Sequence, residues 1–148
     1  MRRANEADNV QHGQIACLTC ETSEARSYSV RLLMPTDQTR KESWRLVCES
    51  RDMSNGGKHW QRSIGAGYAQ HLLHQLDEAR IPAIPPFMSG CDGATYELSF
   101  TQGLNAVTYR WWPDAPKSYE PLVRFGNELL QLGRFQERLT VMEEIQQT

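Results

Sequence analysis

The cysteine pair near the N-terminus has the spacing of half a zinc site. Cys17 and Cys20 enclose two residues in the string CLTC, and a tetrahedral zinc centre requires four thiolate or imidazole ligands. The other cysteines, Cys48 and Cys91, stand alone and far apart. An odd spacing on a strand also sends Cys17 and Cys20 to opposite faces. We therefore expect small reduced thiols and no metal or other cofactor, with zinc binding by the pair as the alternative.

Two histidines share one face of a predicted helix. His71 and His74 lie on that face with Glu78 one turn further on, and side chains at this spacing could hold a metal ion. The string HLLHQLDE lacks the H-E-x-x-H arrangement of a zinc protease, and its leucines occupy the opposite face. A solvated helix surface is therefore the expected role of these histidines.

A glycine-rich stretch, SNGGKHWQRSIGAG, precedes the same helix. Its composition predicts a loop from Gly56 to Arg62, and backbone amides of a glycine loop before a helix N-terminus can cradle an anion. Lys58, His59 and Arg62 would add positive charge there, and Trp60 could supply an aromatic wall. The stretch does not match the phosphate-binding pattern G-x-x-x-x-G-K-[ST]. A flexible loop is therefore expected, and the alternative is a small-anion or small-ligand-binding protein or enzyme with its site in this loop.

Two adjacent tryptophans end a predicted strand in the string TYRWWPDAP. Neighbouring strand residues point to opposite faces, so Trp111 and Trp112 cannot both enter one core. Alternation with Tyr109 assigns Trp111 to the core. Trp112 then faces outward together with Arg110.

Four residues on the predicted outward face of the sheet could form a cation–aromatic platform. They combine three guanidinium groups with one indole: Arg31, Arg45, Arg110 and Trp112. Such a platform could bind a ligand or single-stranded nucleic acid by stacking and charge attraction. Glu49 and Glu97 on the same face argue against nucleic acid. A protein interface that uses Trp112 as its anchor fits the pattern better.

Period-two alternation and helical stripes predict the elements that hold these residues. Strands are expected at about 28–34, 44–49, 95–100 and 105–112, and helices at about 66–80 and 118–132. The order is strand, strand, helix, twice over, which is compatible with a ββα duplication. The predicted fold class is α+β, with an antiparallel sheet of four strands and both helices on one face. Residues 15–20 could add a fifth strand at the edge.

The predicted domain organisation is one folded unit with two terminal extensions. Residues 1–13 are polar and expected to fray, residues 14–133 form the domain, and residues 134–148 form a helical tail. Four apolar residues of the tail keep helical spacing: Phe135, Leu139, Met142 and Ile145. Their stripe is nearly opposite that of the preceding helix. Either the chain breaks at Gly133-Arg134 and the tail folds back, or the tail packs against another subunit.

Composition limits the classes of protein to which the chain can belong. Its 148 residues carry a net charge of −2 and are 39% apolar, as is ordinary for one globular domain. No apolar run approaches the roughly 18 residues of a membrane span, and no apolar region follows the N-terminal arginines as in a signal peptide. The near-neutral charge makes nucleic acid an unexpected partner. A cytoplasmic protein without a membrane partner is predicted.

Three strings in the last third of the chain contain an Asp-Gly turn, a Tyr-x-Leu strand, a strand ending in paired aromatic residues, a proline break and a Leu-rich helix: CDGATYELSF, VTYRWWPDAP and YEPLVRFGNELLQL. In these features the chain resembles small bacterial proteins of unknown function. These motifs are structural, so the resemblance implies a bacterial accessory protein and transfers no catalytic residue. We expect a non-enzymatic binding or protein-interaction module without a catalytic site. It should form a homodimer through Trp112 and the tail, or bind another protein.

Overall fold

A computed structural model describes residues 12–22, 26–36, 44–53, 56–88 and 93–142 of the chain. The strands are β1 (His12–Glu21), β2 (Ser27–Pro35), β3 (Trp44–Asp52), β4 (Gly56–Ile64), β5 (Thr95–Gln102), β6 (Asn105–Trp111), β7 (Asp114–Ala115) and β8 (Thr140–Val141). The helices are α1 (Ala66–Asp77) and α2 (Glu120–Leu132), the latter preceded by a 3₁₀ turn at Lys117–Tyr119.

Strands β1 to β6 form one antiparallel sheet in the order β4-β3-β2-β1-β5-β6. Helix α2 packs on one face of this sheet, where the Phe125 ring lies 5.4 Å from that of Phe100 on β5. The predicted class, α+β with helices on one face of an antiparallel sheet, is confirmed.

The predicted strand count and the duplication are wrong in detail. Four strands of this sheet precede α1, whereas only two of its strands lie between α1 and α2, so the two halves are not equivalent units. The segment expected at the edge is β1, which lies in the middle of the sheet between β2 and β5. The stretch predicted as a glycine loop is β4, which pairs with β3 over its whole length. Trp60 and Ile64 are the only large apolar residues in β4, so the composition of this strand resembles that of a loop. Its pairing with β3 makes it a strand in spite of that composition.

The core lies between the sheet and the helices. Residues of β2 alternate between buried and half-buried from Ser27 to Leu32, and the buried ones face α2 and the tail. On α2 the buried stripe predicted from helical spacing is observed, and Tyr68 of α1 donates a hydrogen bond to Glu128 of α2 at 2.9 Å. No helix in the described ranges is long and apolar enough to cross a membrane.

A Schellman motif ends α2 and turns the chain back. The amide of Phe135 donates to the carbonyl of Leu130 at 2.9 Å, and the amide of Arg134 donates to that of Gln131 at 3.0 Å. The left-handed residue of the motif is Arg134, with φ 62°. The chain therefore breaks at the predicted step from Gly133 to Arg134, with Arg134 rather than the glycine in the left-handed conformation.

The tail folds back along α2, as one of the two predicted alternatives has it, but through Met142 it is not helical, and Thr140–Val141 forms β8. Phe135 packs against the rings of Tyr28 and Trp60, at 5.4 and 5.0 Å between centroids. Asn127 of α2 accepts a hydrogen bond from the amide of Leu139 at 2.7 Å and donates one to its carbonyl at 3.1 Å. Phe135 and Leu139, the first two apolar residues of the tail, are therefore packed within the molecule. Ile145 lies outside the described residues.

Candidate functional site

The two tryptophans at the end of β6 divide between core and surface. Trp111 is 3% exposed and packs beside Tyr96 and Tyr119, with ring centroids 6.2 and 6.1 Å away. Its indole N–H is buried and has no hydrogen-bond partner in the described part of the chain. Trp112 is 37% exposed. The predicted inward and outward assignments therefore agree with the structure.

Trp112 lines a groove of about 210 Å³ at this end of the sheet. One wall comes from the sheet edge and the 3₁₀ turn, and the other comes from the connector between α1 and β5. The lining residues are Arg110, Trp111, Trp112, Pro116 and Tyr119 on the first wall, and Pro85, Pro86 and Met88 on the second. The connector between α1 and β5 and the end of β6 thus form one continuous surface.

Two apolar side chains of that connector point into solvent. Phe87 is 93% exposed and Ile84 is 83% exposed, and both are bonded to prolines that line the groove. We call the groove together with Ile84 and Phe87 the Trp112 surface. The sequence interpretation did not single out these two residues, which lie in the proline-rich string IPAIPPF that follows α1. The available signal was a set of large apolar residues between prolines without any periodicity.

The predicted cation–aromatic platform is divided between two parts of the sheet. Arg110 forms an ion pair with Glu97 on the neighbouring strand, with 2.8 Å from Nη2 to Oε2. Arg31 lies on β2, three strands away from β6 or roughly 14 Å at the usual strand spacing. Arg45 lies one strand further still on β3. Only Arg110 therefore accompanies Trp112.

The residues of the expected anion loop lie on opposite faces of β4. Lys58, Trp60 and Arg62 share the helix-covered face, whereas His59 lies on the other face, 3.9 Å from Glu49. The indole N–H of Trp60 donates to the carbonyl of Gly133 at 3.0 Å, so this ring fixes the end of α2. The four side chains therefore do not converge on one site, and the loop that would have held an anion is a strand.

Burial keeps two thiols protonated. It raises the pKa of Cys48 to about 11 and also raises that of Cys20, in spite of the opposing effect of hydrogen bonds from Tyr28 and Tyr96. Metal binding and thiol exchange both require the thiolate. Cys20 faces the core, whereas Cys17 lies on the other side of β1, opposite Arg31 and Ser99. The pair cannot chelate one ion in this geometry.

The histidines of α1 are at the surface. His71 lies 3.2 Å from Gln75, and His74 lies 3.6 Å from Asp77, where the helix ends. Within the described residues, no three His, Cys, Asp or Glu side chains are grouped as a metal site requires.

A second, larger cleft lies near the opposite end of β6. It has a volume of about 390 Å³ and is bounded by α1, the β5–β6 hairpin and the first turn of α2. Its lining is mainly apolar, including Leu73, Leu76 and Val107, and Asp77 is its one charged residue. Sequence patterns did not predict it, because it arises where the two helices leave the inner face of the hairpin uncovered.

Comparisons of the chain with protein-family models, with curated proteins and with solved structures find no match.

Proposed function

We propose that the protein is a non-enzymatic protein-interaction module of the bacterial cytoplasm, which forms a homodimer through the Trp112 surface. The observation that carries this proposal is the exposure of Phe87 and Ile84 beside a groove lined by Trp112. Large apolar side chains grouped at a surface are typical of protein contacts, and tryptophan is among the residues that contribute most to their affinity.

The Trp112 surface is suited to pairing with its own copy. In a two-fold interface the same patch meets itself, so a protruding side chain must find its recess on that same patch. Phe87 provides the protrusion, and the groove beside Trp112 provides the recess. A volume of about 210 Å³ can accept a phenyl ring, since cavities of roughly 150 Å³ bind benzene. We propose that each copy inserts Phe87 into the groove of the other.

The contribution of the tail to this dimer is smaller than its sequence indicated. Phe135 and Leu139 are buried within the molecule, so they are unavailable to a second subunit. Met142 is exposed, and its amide donates to the carbonyl of Ala115, three positions beyond Trp112. It can extend the Trp112 surface, whereas the rest of the described tail stabilises the monomer.

Sedimentation velocity of surface variants tests the proposal. Phe87→Ser and Trp112→Ser should weaken the dimer by at least about tenfold each, because each removes a ring that the interface would bury. Leu104→Ser is the matched control, since Leu104 is fully exposed in the turn at the far end of β6. Equal dimerisation of all three variants would contradict the Trp112 surface as the interface.

A small-ligand-binding protein or enzyme is the second candidate, and the cleft beside Leu73 is the feature that favours it. The volume lies within the range of small-molecule sites, and one carboxylate in an apolar lining favours an apolar ligand with a cationic end. A thermal-shift screen of amphipathic amines should find compounds that raise the melting temperature. Leu76→Trp, which narrows the cleft, should abolish the shift; an unchanged shift in that variant, or no stabilising compound, would reject this candidate.

A further inference from the structure

Strand β4 is an open edge of the sheet. It pairs with β3 on one side and with no other strand of the described chain. All nine of its residues have a partner on β3 without a bulge, and it contains no proline. An edge of this length and regularity presents a row of backbone N–H and C=O groups to which an extended segment can be added. Proteins commonly protect such edges with proline, bulges, charge or a covering segment. Among the described residues of β4, positive charge is present, whereas proline and a bulge are not.

The charge on that edge has one sign. Lys58 and Arg62 are the charged residues of β4, and the strand has no carboxylate. Neither Lys58 nor Arg62 forms an ion pair with another described residue. Two copies of β4 paired with each other would place four cations along one shared edge, which opposes self-association. The same charges attract an acidic strand.

The side chains of β4 also determine the residue spacing that a bound strand should have. Lys58, Trp60 and Arg62 lie on the same face of β4, and the two cations are four residues apart, or about 13 Å along a strand. An added strand presents alternate residues to this face, in either direction. Carboxylates at its first and fifth positions would reach Lys58 and Arg62, and an apolar residue at the third would lie beside Trp60.

We propose that the β4 edge binds an extended acidic segment of a partner protein by strand addition, with the pattern acidic-x-apolar-x-acidic. Backbone hydrogen bonds to β4 supply part of the affinity, and the two charge pairs select the sequence. This surface is separate from the proposed dimer surface, which lies at the β6 side of the sheet.

Fluorescence anisotropy with the labelled peptide Thr-Glu-Thr-Val-Thr-Glu-Thr tests this proposal. Saturable binding to the wild-type chain is expected. Lys58→Glu and Arg62→Glu should each weaken it by about tenfold or more, since each replaces an attraction by a repulsion. The double variant should instead bind the peptide in which both Glu residues are Lys. Arg80→Glu is the matched control, because Arg80 is an exposed arginine outside the sheet, and it should leave binding unchanged. Circular dichroism melting checks that each variant is folded.

N-methylated peptides separate strand addition from simple charge attraction. Only alternate amides of an added strand point toward β4. Two peptides are therefore compared, one N-methylated at every Thr and the other N-methylated at both Glu residues and at Val. One of the two should lose binding to β4, and the other should retain it. The proposal is overturned if both peptides act alike or if the wild type shows no saturation at about 1 mM peptide. It is also overturned if heptathymidylate binds more tightly with the same dependence on Lys58 and Arg62, because the edge would then be a nucleic-acid site.

Discussion

At the scale of single residues, the turn after α2 contains a stabilising substitution. Arg134 holds a left-handed conformation, which costs an L-residue roughly 1 kcal/mol and costs glycine almost nothing. Arg134→Gly should therefore raise the free energy of unfolding by up to about 1 kcal/mol, as measured by urea denaturation.

Gln136→Gly is the control for that substitution. Gln136 lies two residues further along in the same exposed segment, and its φ is not positive. Glycine should lower stability there by up to about 1 kcal/mol, because it increases the freedom of the unfolded chain. If Arg134→Gly destabilised the protein as much as Gln136→Gly does, this would contradict the left-handed conformation of Arg134 in the Schellman motif.

The buried thiol of Cys48 predicts a loss of stability in alkali. Its pKa rises from the usual 9.0 to about 11 in the folded chain. Between these values the unfolded chain has lost the proton and the folded chain retains it, so the free energy of unfolding falls as pH rises. The contribution of Cys48 is fully present below about pH 9. Cys48→Ala should make the decline between about pH 9 and pH 11 shallower, as measured by urea unfolding at several pH values. An unchanged slope would contradict this assignment.

At the scale of elements, Gly126 lets the tail pack on α2. A Cβ at this position would lie 2.6 Å from Cδ1 of Leu139, whereas a Cβ at Gly67 in α1 would meet nothing within 4 Å. Gly67→Ala should stabilise the protein by up to about 1 kcal/mol, as alanine normally does in a helix. Gly126→Ala should destabilise it by about 1 to 3 kcal/mol through overpacking.

Thermal unfolding of the two alanine variants provides the measurement. A double variant, Gly126→Ala with Leu139→Ala, should show less than the sum of the two single losses, because removal of the Leu139 side chain relieves the clash. Stabilisation by Gly126→Ala alone would show that the tail does not pack against α2 as described.

The same elements show what a single sequence can predict. Strands β2, β3, β5 and β6 and both helices follow from alternation and helical stripes, because their buried faces are marked by large apolar residues. β4 has only Trp60 and Ile64 as such markers, and its pairing with β3 is a tertiary contact that local composition does not encode. The tail keeps helical spacing at Phe135, Leu139 and Met142, yet it is not helical, and the backbone of Leu139 is hydrogen-bonded to the Asn127 side chain instead.

The candidate site was predictable only in part. Alternation assigned Trp112 to the surface, but the groove beside it requires the connector, whose path over the end of β6 has no periodic signature. The proposed anion site assumed that Lys58, His59 and Arg62 converge. Because neighbouring side chains of a strand point to opposite faces, β4 places His59 on the face opposite to Lys58 and Arg62.

At the scale of the whole molecule, the two proposed surfaces lie at opposite sides of one sheet. Five strand spacings, or roughly 24 Å, separate β4 from β6. Two sites this far apart without shared side chains should act independently. Trp112→Ser should therefore leave the affinity for the acidic peptide unchanged in the anisotropy assay. A loss of peptide binding in that variant would show that dimerisation is required to form the β4 site.

The molar mass of the wild-type chain in solution tests the central claim most directly. Multi-angle light scattering at about 50 μM, a concentration above the dissociation constant of a dimer of micromolar affinity, should give twice the 17.0 kDa of one chain. The Trp112→Ser variant under the same conditions should give a lower average mass than the wild type. A mass of 17.0 kDa for the wild type at this concentration would contradict the proposed homodimer.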